Sequence, residues 1–110
     1  MSSYYFGLKA ESFAAHYLRL KLYNIIGQRV RNHAGEIDII AARTRTIVFV
    51  EVKARAKIDY EALTTRQSKR IRQAAEVYLA SKPKFHNYDV RFDLILLAPW
   101  HWPVHLENAW

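Results

Sequence analysis

Two β-rich runs, residues 36–42 and 46–54, are separated only by the polar Arg-Thr-Arg at 43–45. So short a polar break between two such runs points to an antiparallel hairpin. Both runs carry charge where apolar residues would be expected: Glu36 and Asp38 in the first, Glu51 and Lys53 in the second. Burying a charge costs on the order of several kcal/mol unless it is paired or bound to a metal. The hairpin should therefore bring these four side chains to partners or to a cation.

The flanking segments supply the rest of a layered domain. Residues 8 to about 22 read as a helix, because Leu8, Ala15, Leu18 and Leu22 fall within about 60° of Glu11 on a 3.6-residue wheel. That places Glu11 at the centre of an apolar face. Residues 25–31 form a first strand, with Gly27 marking a bulge or a close backbone approach, and Asn-His-Ala-Gly at 32–35 reads as a turn. Residues 57–65 read as a loop. Thr64 or Thr65 caps a second helix that runs to about 81, where Ser81 and Pro83 stop it, with Ile71, Ala74, Ala75 and Tyr78 as its core stripe. Residues 90–98 form a strand with apolar residues on both faces, expected to be central or covered on both sides. A short strand at about 104–107 follows Pro103. The expected order is αβββαββ, an α/β fold of α+β character with helices on a mixed sheet. At 110 residues it is expected to form a single domain, 1–110.

Composition narrows the partners. Seventeen basic against ten acidic residues give a net charge of +7, which favours a polyanion, nucleic acid before an anionic membrane surface. With no cysteine there is neither a disulfide scaffold nor a thiolate metal site, so a metal would need carboxylates or histidines and would be a hard, oxygen-preferring ion. No run approaches the roughly 20 apolar residues of a membrane span, and the opening Met-Ser-Ser-Tyr-Tyr-Phe lacks the order of a secretory signal. A cytoplasmic protein with no membrane partner is expected.

Residues two apart on a strand share a face, so Glu36 and Asp38 should point one way with Ile37 and Ile39 opposite. Likewise Glu51 and Lys53 should share a face, with Val48, Val50 and Val52 opposite. Facing one another across the hairpin, Asp38 and Glu51 would hold Mg2+ or Mn2+ beside Lys53, with Glu11 as a further ligand, direct or through water. Such a site hydrolyses phosphodiesters: the metal activates water and the ammonium favours the charge that develops at phosphorus. The plainer alternatives are a solvated face, Asp38 or Glu36 paired with Arg43 or Arg55, and a buried Glu11–Lys53 bridge.

The segments GLKAESFAAHYL, RNHAGEIDIIA, VFVEVKAR, AAEVYLA and RFDLILL, in this order and spacing, resemble the YraN family of predicted bacterial endonucleases in the restriction-endonuclease-like superfamily. More distantly the chain resembles archaeal Holliday-junction resolvases. The resemblance runs from about Gly7 to Ala109. It implies a mixed sheet flanked by helices, with the site on the central hairpin. It also implies Asp38 and Glu51 as metal ligands, Lys53 as the catalytic lysine and Glu11 as the first-helix glutamate. Where the family often has a lysine early in the second helix, this chain has Gln67, with Lys69 nearby.

Further cations could hold a phosphate backbone. Arg66, Lys69, Arg70 and Arg72 lie in the first turns of the second helix, where they oppose its dipole unless a phosphate binds. Arg29, Arg31, Arg43, Arg45, Arg55 and Lys57 flank the hairpin site and could extend a backbone track. His101 and His105 carry no metal-binding geometry on a proline-broken segment, and Trp100 and Trp102 suggest packing or an oligomer or ligand surface, which leaves a homo-oligomer open. The expected function is thus metal-dependent cleavage of DNA, branched or single-stranded forms included. Its rivals are a non-catalytic nucleic-acid-binding module on the same fold and an interaction subunit that docks a partner through its tryptophans.

Overall fold

The structure is a computed structural model describing residues 3–110, apart from the side chains of residues 3–6 and 8. The elements are α1 (Ser3–Leu20), β1 (Asn24–Asn32), β2 (Gly35–Arg43), β3 (Thr46–Ala54), α2 (Thr65–Ala80), β4 (Asp89–Leu97) and β5 (Val104–Leu106), with a 3-10 turn at Pro83–Phe85. They follow the expected αβββαββ order. The sheet runs β1-β2-β3-β4-β5 in space; β3 and β4 are parallel, and every other neighbouring pair is antiparallel. A parallel pair needs a crossover, which α2 supplies. No helix among the described residues is long and apolar enough to cross a membrane.

Each helix covers one face of the sheet. Ala14, Ala15 and Leu18 of α1 pack with Tyr23, Ile39, Ala41, Val48, Val50 and Ile95. On the other face Ile71, Ala74 and Ala75 of α2 pack with Ile37, Ile40, Ile47, Phe49, Phe85 and Phe92. β4 therefore contributes to both cores, as its two apolar faces require, and the pairing of its flanks with β3 and β5 makes it central.

The ends of α1 and α2 follow local chemistry. At α2, Thr64 accepts from Gln67 N at 3.1 Å and donates its own N–H to Gln67 Oε1 at 3.1 Å, a reciprocal cap. Gln67 thus closes the helix start. α1 ends two residues earlier than the periodicity suggests. Tyr23 N donates to Leu18 O at 3.0 Å and Leu22 N to Arg19 O at 2.9 Å, with Leu22 at φ 70°, the Schellman arrangement. Leu22 is consequently exposed and not on the face of Glu11, whereas Ala15 and Leu18 are fully buried. Leu8, expected on that same face, has its side chain outside those described.

The hairpin closes at Arg43↔Thr46, so its turn is the two residues Thr44 and Arg45, both at positive φ. In β1 the register slips between Ile25 and Gly27, and a Cβ on Gly27 would lie 2.8 Å from Val30 Cγ2. Gly27 therefore marks both a bulge and a close approach.

One expectation about faces needs correction. Ile37 packs under α2, but Ile39 packs under α1, so the two do not share a face. The alternation breaks at Asp38. Pairing between β2 and β3 ends at Ile39↔Val50, while β3 stays paired with β4 to Ala54. Across β1, Gln28 pairs with Ile39 and Val30 with Ile37, leaving Arg29 opposite Asp38 at φ 51°. The sheet is thus distorted at both residues, and its freed edge opens beside α1.

Candidate metal centre

Freed from the ladder, Val52 N is taken by Asp38 Oδ2 at 2.9 Å, so a side chain replaces a strand partner. This bond fixes the Asp38 carboxyl between the two strands. Val48, Val50 and Val52 pack under α1, so Glu51 and Lys53 stand on the opposite parity of β3, as expected. They meet Asp38 where the two strands cease to pair. A cleft of about 400 Å³ is lined there by Gly7, Ala10 and Glu11 of α1, Arg29 of β1, Asp38 of β2, and Glu51, Val52, Lys53 and Ala54 of β3, with Arg55 just beyond.

The carboxylates crowd one another. Burial, followed by contact with the Glu51 carboxyl and its charge, pushes Asp38 up to about 8 against the stabilising Val52 N–H. Burial and the Asp38 charge raise Glu11 as well, and Arg29 opposes them. Arg29 Nη1 donates to Glu11 Oε2 at 2.8 Å, while Glu11 Oε1 is buried with no hydrogen-bond partner. Glu11 therefore pairs with Arg29, not with Lys53.

Three carboxylates, Glu11, Glu36 and Asp38, each place an oxygen within 4.8 Å of the others. Mg2+ and Mn2+ prefer carboxylate oxygens, so the donor chemistry of this set fits such an ion. The buried Glu11 oxygen without a hydrogen-bond partner agrees with that fit, because a divalent ion would take up its lone pair. Glu51 interacts with the Asp38 carboxyl but stands outside this trio. Glu36, read from the sequence as a surface acid, belongs to it. Its partners are Arg31, at 2.7 Å, and Arg29, at 3.8 Å, not Arg43 or Arg55. The i, i+2 spacing with Asp38 was the signal that could have found it.

The expected cations disperse. Arg55 and Lys53 line the cleft, and Lys57 is exposed just beyond it in sequence. Arg31 lies exposed against Glu36. Arg43 sits 4.2 Å from the Tyr23 ring centre and donates to Lys21 O, which ties it to packing at the far end of the hairpin. Arg66, Lys69, Arg70 and Arg72 are exposed on α2, which covers the face opposite α1; Arg70 lines a shallow groove with Arg31, His33 and Glu36, and Arg72 lies over the Phe92 ring.

A second buried polar group escaped sequence reasoning. Asp93, fully buried in β4, accepts from Arg91 through both oxygens, from Asn108 N, and from His105 Nε2 at 2.7 Å. Burial alone would raise its carboxyl, but these donors hold it below the usual range. Arg91 also reaches the Tyr23 hydroxyl and Glu107. Lys21 Nζ lies 2.7 Å from His105 Nδ1, so the ring spans Lys21 and Asp93 through its two nitrogens. His105 is thus a structural bridge, whereas His101 lies exposed against Trp102 O. An aspartate in an otherwise apolar strand was the available signal.

The profile of "Uncharacterised protein family UPF0102" matches residues 10–97. A "UPF0102 protein" of Parvibaculum lavamentivorans is 44% identical over 112 residues, covering 100% of this chain and 84% of the relative. One from Rhodopseudomonas palustris strain BisB5 is 48% identical over 105 residues, covering 94% and 80% respectively.

Proposed function

We propose, for a chain that belongs to the UPF0102 family, the YraN family its motifs resemble, that it is a divalent-metal-dependent nuclease cleaving phosphodiester bonds in DNA. The observation that carries this reading is the convergence of Glu11, Asp38, Glu51 and Lys53 from three separate elements on one cleft. The net charge of +7 supports a polyanionic substrate.

Asp38 is the central ligand, Glu11 and Glu36 complete an oxygen set with it, and Glu51 stands in contact with Asp38. Bound Mg2+ or Mn2+ supplies Lewis-acid polarisation of a phosphoryl oxygen and a more acidic water. The bond from Val52 N orients the Asp38 carboxyl. Lys53 presents an ammonium toward the phosphate, where its attraction grows as negative charge accumulates. Arg29 partly neutralises Glu11 and Glu36.

A second reading, a non-catalytic nucleic-acid-binding module, draws on one observation: Glu11 and Asp38 both have structural partners, Arg29 and Val52 N. The deciding experiment titrates Mn2+ calorimetrically into wild type and Asp38→Ala, and assays both on duplex, single-stranded and branched DNA. Metal binding and cleavage that D38A removes with the fold intact support the enzyme. Nucleic-acid binding that is indifferent to metal, with no cleavage, supports the module. If Lys53→Met leaves metal-dependent cleavage unchanged, the role given to the lysine is wrong.

A further inference from the structure

Residues of α1 and the β4–β5 connection form an aromatic groove that the cleft chemistry does not use. Trp100 is fully exposed and Trp102 is 87% exposed, while Phe13 and Leu20 are exposed on α1. Together with His16, Tyr17 and Pro103 they line a groove of about 440 Å³. Trp100 is held at φ 59°, a conformation rarely adopted by a bulky side chain. Trp110, by contrast, packs on Phe92.

This groove leads to the carboxylate cleft. A second groove, of about 340 Å³, shares Phe13 and His101 with the first and Ala10 and Ala54 with the cleft. Between Ala10 and Leu20 the helix advances about 15 Å at 1.5 Å per residue. That matches about four nucleotides at the 3.4 Å spacing of a stacked strand. Among the described residues, neither groove is lined by a carboxylate, and their charged or titratable members are Lys9, His16, Tyr17 and His101. A second copy, also at net +7, would bring like charge to this lining.

We propose that Trp100 and Trp102 stack on unpaired bases of a nucleic-acid strand whose backbone continues into the cleft. The inference rests on the nuclease reading and names its substrate class, a strand with unpaired bases. Every base offers a π-face, whereas the stacked bases of a continuous duplex expose none to a side chain in the groove.

The test measures affinity by fluorescence anisotropy for a labelled oligothymidine of about 10 nucleotides, within the usual site size of single-strand binders. A blunt duplex of the same length is the comparison, and chelator is present so that cleavage cannot occur. Trp100→Ala and Trp102→Ala are each expected to weaken single-strand binding by about 5- to 150-fold while duplex affinity stays within about twofold. Trp100→Phe and Trp102→Phe should retain most of it, which separates stacking from a folding defect. Equal losses on both substrates, or none, overturn the inference and leave the nuclease reading standing. A concentration-dependent dimer that Trp102→Ala dissociates assigns the groove to a second copy. If wild type binds neither oligonucleotide, both this inference and the nucleic-acid reading fall.

Discussion

Asp38 holds a proton at neutral pH because burial and Glu51 disfavour its anion, and that sets the sign of a pH effect. Its ordinary value is 3.8 and its folded value about 8, so the folded state binds the proton more tightly than the unfolded state does. The stabilisation is complete below about pH 4 and is lost as pH rises toward 8, where three carboxylates repel one another. In metal-free buffer the contribution of this site to stability should therefore decline from pH 5 to about 8. Asp38→Asn should flatten that slope; urea midpoints measured across the range would expose an identical slope in the variant as evidence against the coupling. At pH 7, Mn2+ should release a proton on binding, detected calorimetrically in buffers of different ionisation enthalpy. Glu36→Gln should weaken Mn2+ binding about tenfold, a loss typical of a supporting ligand. An unchanged affinity would return Glu36 to the role of a surface acid paired with Arg31.

At the scale of elements, Leu22 carries backbone strain and Gly27 leaves no room for a side chain. Leu22 occupies the left-handed cap position of α1 with its side chain in water, so it incurs conformational cost without the compensation of burial. Leu22→Gly should stabilise the protein by about 1 kcal/mol, read as a rise in urea midpoint at constant slope. A fall instead would mean that Leu22 makes a contact the exposed side chain does not reveal. Gly27→Ala should destabilise by about 1–3 kcal/mol, because the added carbon meets Val30 at 2.8 Å in a bulged strand. The hairpin, both helices and the order of strands were legible because each depends on periodicity and turn chemistry within a short window. The end of α1 was not, since a leucine occupies the position that glycine usually marks.

Across the whole molecule, the Asp93 network joins β4 to β5, to the segment after β5 and to the α1–β1 turn through His105 and Lys21. Asp93→Ala leaves the Arg91 guanidinium without its carboxylate and should cost about 3–5 kcal/mol in a urea-unfolding measurement. A loss below about 1 kcal/mol would show that Glu107 and Tyr23 suffice for Arg91. Because donors lower Asp93, its contribution is present above about pH 4 and fades as acid protonates the carboxyl, opposite in sign to Asp38.

The sequence alone determined the hairpin, the amphipathic helices and the four charged positions Glu11, Asp38, Glu51 and Lys53, since hydrophobic period and charge placement are local properties of the chain. Only the tertiary structure decided which carboxylates meet, that Arg29 is the partner of Glu11, that Glu36 joins the oxygen set, and that α2 carries its cations on the face away from α1. Those outcomes depend on where β2 stops pairing with β3 and on contacts between residues far apart in the chain. Strand parity predicts the face of a side chain only while the ladder persists, and at Asp38 it does not.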